Sequence, residues 1–375
     1  MRRLFLTISV TVAVGLTGAF AQGKFSGYMF GDYFYNVARD TAFRSGNLAN
    51  SAVGGKRDLQ AFQIRRIYFT YDNDISEIFT TRFRLEADAS AGSKELDANN
   101  KVTVFVKDAY LKWKNVFKGS DFIFGFQPTS AYEISETAWA YRCLDKTIMD
   151  LRGIIPSREL GVSLKGKVVE SGTVNYWATI ANNTGTAAVN GTDPYFDKYK
   201  RYSLNLLFKP TDQLQITAYG SYLGKPAIND PKSTANPKVT LSNGILTGAL
   251  FVGYSEKDKF SVGLEGFLAS QSNNIPNSDT SGLKAQSTLG ITLFGTVVFT
   301  PELTAIARFD FYDPNIDNRY KGDARNYIIA GLAWKPDKNV QIIPNVQIET
   351  YEAVPNGRSI NASVTGRITL YYIFL

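Results

Sequence analysis

The sequence predicts an all-β protein: a 16-stranded antiparallel transmembrane β-barrel with short periplasmic turns and longer extracellular loops. Three observations carry that prediction. Stretches of ten to fifteen residues alternate in polarity along most of the chain, and the breaks between them are alternately tight and long. Aromatic residues also gather where one face of a stretch meets a tight break.

A period of two marks a strand with one dry and one wet face. The run Thr81-Arg82-Phe83-Arg84-Leu85-Glu86-Ala87-Asp88 shows it most clearly, with Phe83, Leu85 and Ala87 on one face and the four charges on the other. Sixteen such segments begin near residues 24, 59, 76, 101, 120, 158, 172, 198, 212, 242, 258, 284, 302, 324, 338 and 359. Seven breaks, from Asp72-Asn73-Asp74 to Pro336-Asp337-Lys338-Asn339, are short and rich in turn-forming Pro, Asp, Asn and Gly. Eight are mostly longer and polar, near 37–58, 90–100, 128–157, 183–197, 223–241, 271–283, 314–323 and 352–358. That alternation is the outer-membrane pattern, and an even strand number brings both termini to the short-turn side. Twelve of the 13 prolines fall outside the segments. Pro344 falls inside one, where a bulge or local distortion is expected. On the dry face, Trp113, Phe208, Tyr254, Phe299, Trp334 and Tyr372 each stand just before a tight turn or the terminus. A bilayer interface collects such rings at one level, and a soluble sandwich has no reason to.

Composition removes several functions. The chain has 375 residues, 41 Lys+Arg against 34 Asp+Glu, no His and one Cys. Without histidine there is no Ser-His or Cys-His catalysis and no zinc site of the usual type. The single Cys143 rules out an internal disulfide. The net charge of +7 is spread without a long basic run, so no nucleic-acid partner is expected. No enzyme activity, cofactor or metal is expected either. Glu86 and Asp88 are same-face neighbours on a strand rather than a glycosidase pair. The acidic stretch Asp310 to Asp317 is a loop feature before it is a calcium site, and Cys143, although beside Arg142, reads as a small buried filler. Arg2 and Arg3 precede an apolar stretch, Leu4 to Phe20, and Ala19-Phe20-Ala21 supplies a cleavage site. The expectation is a signal peptide over 1–21 and one barrel domain over 22–375, in contact with the lipid of a bacterial outer membrane.

The lumen of a barrel this size is water-filled. Parity assigns to it Arg82, Arg84, Lys112, Lys165, Arg201, Arg308, Arg325 and Arg367, with the acids Glu86, Asp88, Asp108, Glu159, Glu265, Asp310 and Glu349. The longest break, 128–157, is expected to enter the lumen and set its narrowest section. It carries Glu133, Glu136, Arg142, Asp145, Lys146, Asp150 and Arg152. Arg82, Arg84, Arg308 and Arg367 lead the charge at mid-height, so the expected function is passive diffusion of small hydrophilic solutes with a weak preference for anions, phosphate included. The alternative is a surface protein acting through loops such as Lys225 to Asn243. One pair resists the scheme. Phe69 and Tyr71 put odd residues outside, which turns Arg65 of Arg65-Arg66 toward lipid at a cost of about 2–4 kcal/mol. A subunit interface, a bulge or a shifted register would resolve this.

Further motifs are Lys107-Asp108-Ala109-Tyr110-Leu111, Gly125-Phe126-Gln127-Pro128, Ser157-Arg158-Glu159-Leu160-Gly161-Val162 and Tyr327-Ile328-Ile329-Ala330-Gly331-Leu332. With Arg65-Arg66, Phe83-Arg84-Leu85-Glu86 and a long loop containing Arg142, they resemble the porin O and P family, the phosphate- and polyphosphate-selective outer-membrane porins and their relatives. The resemblance implies a homotrimer of sixteen-stranded barrels whose third extracellular loop folds inward to narrow the pore. The chain departs from the phosphate-specific members, whose constriction is dominated by basic residues. Here Arg142, Lys146, Arg152 and Arg158 stand against Glu133, Glu136, Asp145, Asp150 and Glu159. It also ends Phe374-Leu375, where barrels usually end on an aromatic.

Overall fold

The computed structural model describes residues 23–40, 55–89, 102–185, 198–277, 282–354 and 359–375. The expected signal peptide lies outside them. The strands in chain order are β1 (Lys24–Ala38), β2 (Gln60–Asp74), β3 (Phe79–Ala89), β4 (Val104–Phe117), β5 (Ser120–Pro128), β6 (Arg158–Lys167), β7 (Val174–Ala181), β8 (Arg201–Phe208) and β9 (Leu214–Leu223). There follow β10 (Ile228–Asn229), β11 (Thr240–Leu241), β12 (Ile245–Glu256), β13 (Phe260–Pro276), β14 (Leu283–Thr300), β15 (Leu303–Asp313), β16 (Arg325–Asp337), β17 (Val340–Tyr351) and β18 (Ser363–Ile373). Strands β10 and β11 pair only with each other, as a small ribbon in the β9–β12 loop. The other 16 form one closed antiparallel barrel in which β18 pairs with β1. Closure leaves no open edge, which lipid would punish at every unpaired N–H and C=O. Each barrel strand begins within 4 residues of its predicted start. The Phe374 N–H donates to the Gly27 carbonyl at 3.0 Å, so the two ends of the barrel meet at one rim.

The outer face follows the predicted alternation. Trp113, Phe208, Tyr254, Phe299 and Trp334 are all exposed near the tight turns, and half-buried Tyr372 turns its hydroxyl to Met29 Sδ at 3.2 Å. Two turn positions differ from expectation. Asp72-Asn73-Asp74 belongs to β2, with the turn at Ile75 to Ile78, and β4 runs on to Phe117 before turning at Lys118-Gly119. Pro128, Pro276 and Pro336 also prove to lie at strand ends.

Pro344 causes no bulge: it stands opposite Ile368 in the regular β17–β18 register. Toward β16, the recorded pairs step from Gly331↔Asn345 to Trp334↔Ile342 without a change of register. The shift comes beyond Trp334, at Lys335-Pro336, where the strand is about to end and a missing N–H costs least.

The Arg65-Arg66 conflict is resolved by a bulge. Phe30 pairs with Arg66 and Gly31 with Ile64, so Arg65 is the extra residue and the strand changes parity across it. Phe69 is exposed below the bulge, and Phe62 and Ile64 above it. Both arginines therefore point inward. The same device recurs in β4, where Arg84 pairs with Asp108 but Leu85 with Val106, so that Lys107 is the extra residue. Lys107 and Asp108 then both face the lumen.

Deleting Arg65 should restore strict alternation, so the barrel should still assemble as a heat-resistant species. Phe69→Arg, which puts a guanidinium on the lipid side, should cost about 2–4 kcal/mol in urea unfolding from vesicles. Failure of the deletion variant to assemble would mean that the bulge does more than re-aim one side chain.

Candidate functional site

The segment from Thr129 to Ser157 leaves β5, crosses the barrel interior and returns to β6, carrying two short helices, α1 (Glu133–Trp139) and α2 (Ile148–Leu151). It lies inside because one stretch of the inner wall is apolar. Phe251, Phe294, Ile306, Ile329 and Ile343 are buried on the lumen side, and Trp139 and Leu144 pack against them. Ile148, Met149 and Ile155 pack in the same way with Tyr219, Phe267 and Tyr312. These wall residues would otherwise face water, so covering them drives the loop inward.

Polar contacts then fix its position. Arg65 Nη1 donates to the Cys143 carbonyl at 2.9 Å and to the Leu144 carbonyl at 2.7 Å. Gln347 Nε2 reaches the Leu144 carbonyl at 3.1 Å, and Arg308 donates to the Lys146 carbonyl. The Tyr327 hydroxyl donates to Asp145 Oδ2 at 2.7 Å. Burial pushes the Asp145 carboxyl up, but Arg65 and the Tyr327 hydroxyl outweigh it and hold the group below its usual range. Arg152 pairs with Glu349 at 2.9 Å, both side chains at 0% exposure. At the near end Asn205 Nδ2 donates to the Ser130 carbonyl at 2.8 Å. Within the loop Arg142 pairs with Glu136 at 3.0 Å and Asp150 at 3.4 Å, and Lys146 lies 3.6 Å from Asp150. Cys143 is buried, and burial pushes its thiol up to about 12, as a filler requires and a reactive thiol does not.

The loop packs against the lumen face of β12–β17, and beside it the wall is formed by β3–β8. There a recess of about 930 Å³ opens toward the short-turn rim. Its cations are Arg82, Lys112, Lys165, Lys167 and Lys209, and its carboxylates are Asp121 and Glu133. Lys165 Nζ lies 3.0 Å from Glu133 Oε2 and 3.9 Å from the centre of the Trp177 ring. Asp121, Lys165, Trp177 and Asn205 form one cross-strand row on the inner face. Gly125 belongs to the same wall. Its φ of 128° and a Cβ position 2.2 Å from the Ala109 carbonyl leave room for no other residue.

Of the charges that parity assigned to the lumen, Arg82, Lys112 and Lys165 line this recess. Most of the others are engaged elsewhere. Arg84 and Arg158 converge on Asp108, and Arg66 holds Glu86 and Asp88 while Lys107 reaches Glu86 at 2.9 Å. Arg201 pairs with Glu159 at 3.6 Å and Arg367 with Asp32 at 3.2 Å. Arg308 is bidentate on Asp310 beneath the loop, and Glu265 is buried there against Ser135 of α1. Arg325 is half-buried at the start of β16. The expectation that Arg84, Arg308 and Arg367 lead the field in the passage is therefore corrected: each spends its charge on a carboxylate in the wall. Even Arg82 is held by Asp72 at 2.7 Å.

The acidic stretch does not converge. Asp310 points to Arg308, Asp313 accepts from the Asn315 N–H at 2.9 Å, and Asp317 is held by Arg319 and Lys284. Sequence reasoning missed Asp32, Lys107, Lys167, Lys209 and Trp177 as inner-wall residues. The adjacency Lys107-Asp108 was a usable signal, since two neighbouring charges in a strand demand a bulge as Arg65-Arg66 does. Lys209 was hidden because it stands in a predicted turn.

No protein-family model matches the chain, and no curated protein matches it in sequence. Solved structures do match it in shape. The outer-membrane channel DcaP of Acinetobacter baumannii is 12% identical, with 94% of this chain and 97% of that one covered at a TM-score of 0.63. An anion-selective porin from Comamonas acidovorans is 10% identical, with 94% and 99% covered at 0.61. OmpT, an outer-membrane protein of Vibrio cholerae solved in a trimer form, is 12% identical, with 94% and 99% covered at 0.55. At such identities the likeness is one of fold, and the chain has the closed-barrel fold of the outer-membrane porins.

Proposed function

We propose that the protein is a passive diffusion channel of the bacterial outer membrane that admits small hydrophilic solutes with a weak preference for anions, phosphate included. One observation carries this reading: the open recess presents five cations and two carboxylates. A surplus of fixed positive charge raises the local concentration of anions and lowers that of cations. The preference is weak because Glu133 and Asp121 sit beside Lys165 and Lys112, at 3.0 and 3.9 Å. It fades in salt, since the screening length falls from about 8 Å at 0.15 M to about 3 Å at 1 M. The inward loop sets the narrowest section, and solutes pass between it and the β3–β8 wall. The trimer form of the Vibrio neighbour and the porin O and P motifs support a homotrimer, and the Ala19-Phe20-Ala21 cleavage pattern supports export by a signal peptide over 1–21.

The replacement of Lys112, Lys165 and Lys209 together by Gln should move the reversal potential toward cations in planar bilayers, most at low salt. A wild-type channel that already prefers cations at low salt would sink the reading.

Loop anchoring has its own test. Arg152→Met takes from Glu349 the guanidinium that neutralises it, and breaking a buried pair from one side costs about 3–5 kcal/mol. The docked loop should give way before the barrel does, so single-channel conductance should rise and fluctuate. Combining Arg152→Met with Glu349→Leu should restore a quiet conductance. An Arg152→Met channel indistinguishable from wild type would place the constriction elsewhere.

A further inference from the structure

The wall beneath the inward loop contains one acid that its surroundings leave unmatched. Phe251, Glu265, Thr292, Asp310, Tyr327 and Glu349 stand opposite one another in a single row of the inner face, from β12 to β17. The loop lies on this row, with Trp139 of α1 in one apolar cluster with Phe251 and Tyr327. Three members of the row are acids. Glu349 meets Arg152 of the loop at 2.9 Å, and Asp310 meets the fork of Arg308. Glu265 has no such partner among the described residues. It is 1% exposed, and its Oε1 accepts no hydrogen bond.

The groups that face Glu265 offer it no positive charge. Arg308 is the cation nearby, but its Nε and Nη2 go to Asp310 and its Nη1 to the Lys146 carbonyl. Asp310 adds a second acid to the same neighbourhood. The cross-strand neighbours Phe251 and Thr292 are uncharged. From the loop, Glu265 meets Ser135 of α1, whereas Glu133 and Glu136 of that helix pair with Lys165 and Arg142. The Ser135 hydroxyl donates to the Tyr132 carbonyl at 3.2 Å, so toward Glu265 it turns lone pairs. A carboxylate there would set its own lone pairs against them, in a sealed site with no counter-ion, and both are costly. A carboxylic acid fits, with its O–H donating to Ser135 Oγ.

We infer that the loop docks with a proton on Glu265, which makes its hold on the wall a proton-linked latch that alkaline solution loosens. Docked, the carboxyl keeps its proton. Lifted, it meets lumen water and loses the proton above about pH 4, where glutamate ordinarily ionises. The docked form therefore binds one proton more, and raising the pH favours the lifted loop. The lifted-to-docked ratio grows by up to about tenfold per pH unit, until the docked form itself ionises; below about pH 4 both forms hold the proton and the linkage vanishes. The paired acids respond in the opposite sense. Asp145 beside Arg65 and Glu349 beside Arg152 hold the loop as carboxylates, so acid weakens their contacts and alkali leaves them unchanged. The sign of the response thus separates Glu265 from the rest of the interface.

Cys143, the one thiol of the chain, reports the position of the loop because docking buries it. The assembled barrel is treated with a dipyridyl disulfide, which reacts with thiols in acid as well as in alkali, and Glu265→Gln is treated in parallel. The variant keeps the shape of the side chain without the proton, and the ratio of the two rates cancels the titration of the thiol itself. That ratio, wild type over variant, should lie near one at about pH 4 and rise at least about tenfold by about pH 8. Over the same range the single-channel conductance of the wild type should rise and fluctuate, and that of Glu265→Gln should stay level. A flat ratio of rates overturns the latch, and so does a conductance that rises equally in both proteins. If Glu265→Gln does not assemble, Glu265→Met takes its place with the same expected outcome. A barrel that passes no current at any pH defeats the channel reading, and the thiol ratio then decides the latch alone.

Discussion

An outer face of exposed apolar side chains dictates the rest of the molecule. Hydrocarbon would offer no partner to a charge or to an open backbone edge, and each of the 16 barrel strands pairs on both sides with its charges turned inward. The two bulges follow directly. A regular strand cannot turn both members of Arg65-Arg66, or of Lys107-Asp108, to the same side. One extra residue in each strand allows it. Relative to a lipid-facing arginine worth about 2–4 kcal/mol, a local loss of one ladder step is the smaller cost.

Once inside, those charges have to be neutralised, and the interior becomes a lattice of ion pairs. The arginines take this task. Arg66, Arg84, Arg158, Arg308 and Arg367 each meet a carboxylate of the wall, and Arg65 spends its donors on loop carbonyls. A planar fork with several donors suits fixed, multidentate contacts. Part of the lumen face of β12–β17 is apolar instead, around Phe251, Phe294, Ile306, Ile329 and Ile343, which creates a surface that water must not see. The inward loop covers it. The same packing that hides Phe294 and Ile329 leaves the recess off-centre, against β3–β8.

The barrel was legible in the sequence because a two-residue period and an aromatic level beside the tight turns are both local signals. Strand starts near Lys24, Arg158 and Ser120 could be read to the residue. The interior was less legible. Parity gives the face of Arg308 and Arg367 but not their partners, since Asp310 lies on the same strand and Asp32 at the other end of the chain. Nor does parity distinguish a wall position open to water from one under a loop. Phe251 and Arg82 both face inward, and only the tertiary path of 129–157 decides which of them a solute meets. Bulges were visible where like charges stood together, at Arg65-Arg66, and overlooked where opposite charges did, at Lys107-Asp108.

The division between arginine and lysine gives the interior its two functions. Where a guanidinium appears, geometry is being held: the fork fixes a carboxylate, a loop carbonyl or both. Four of the five recess cations are lysines, on flexible stems and with compact, strongly hydrated heads. Lys165 shares its ammonium between Glu133 and the Trp177 ring, two contacts at the end of a flexible stem. On the channel reading proposed above, such a wall would attract without trapping, since a site must be favourable enough to enter and weak enough to leave. An arginine ladder at the same place would hold oxyanions bidentately and slow their exit. Arginine sets the shape of the lumen, and lysine lines the recess that this shape leaves.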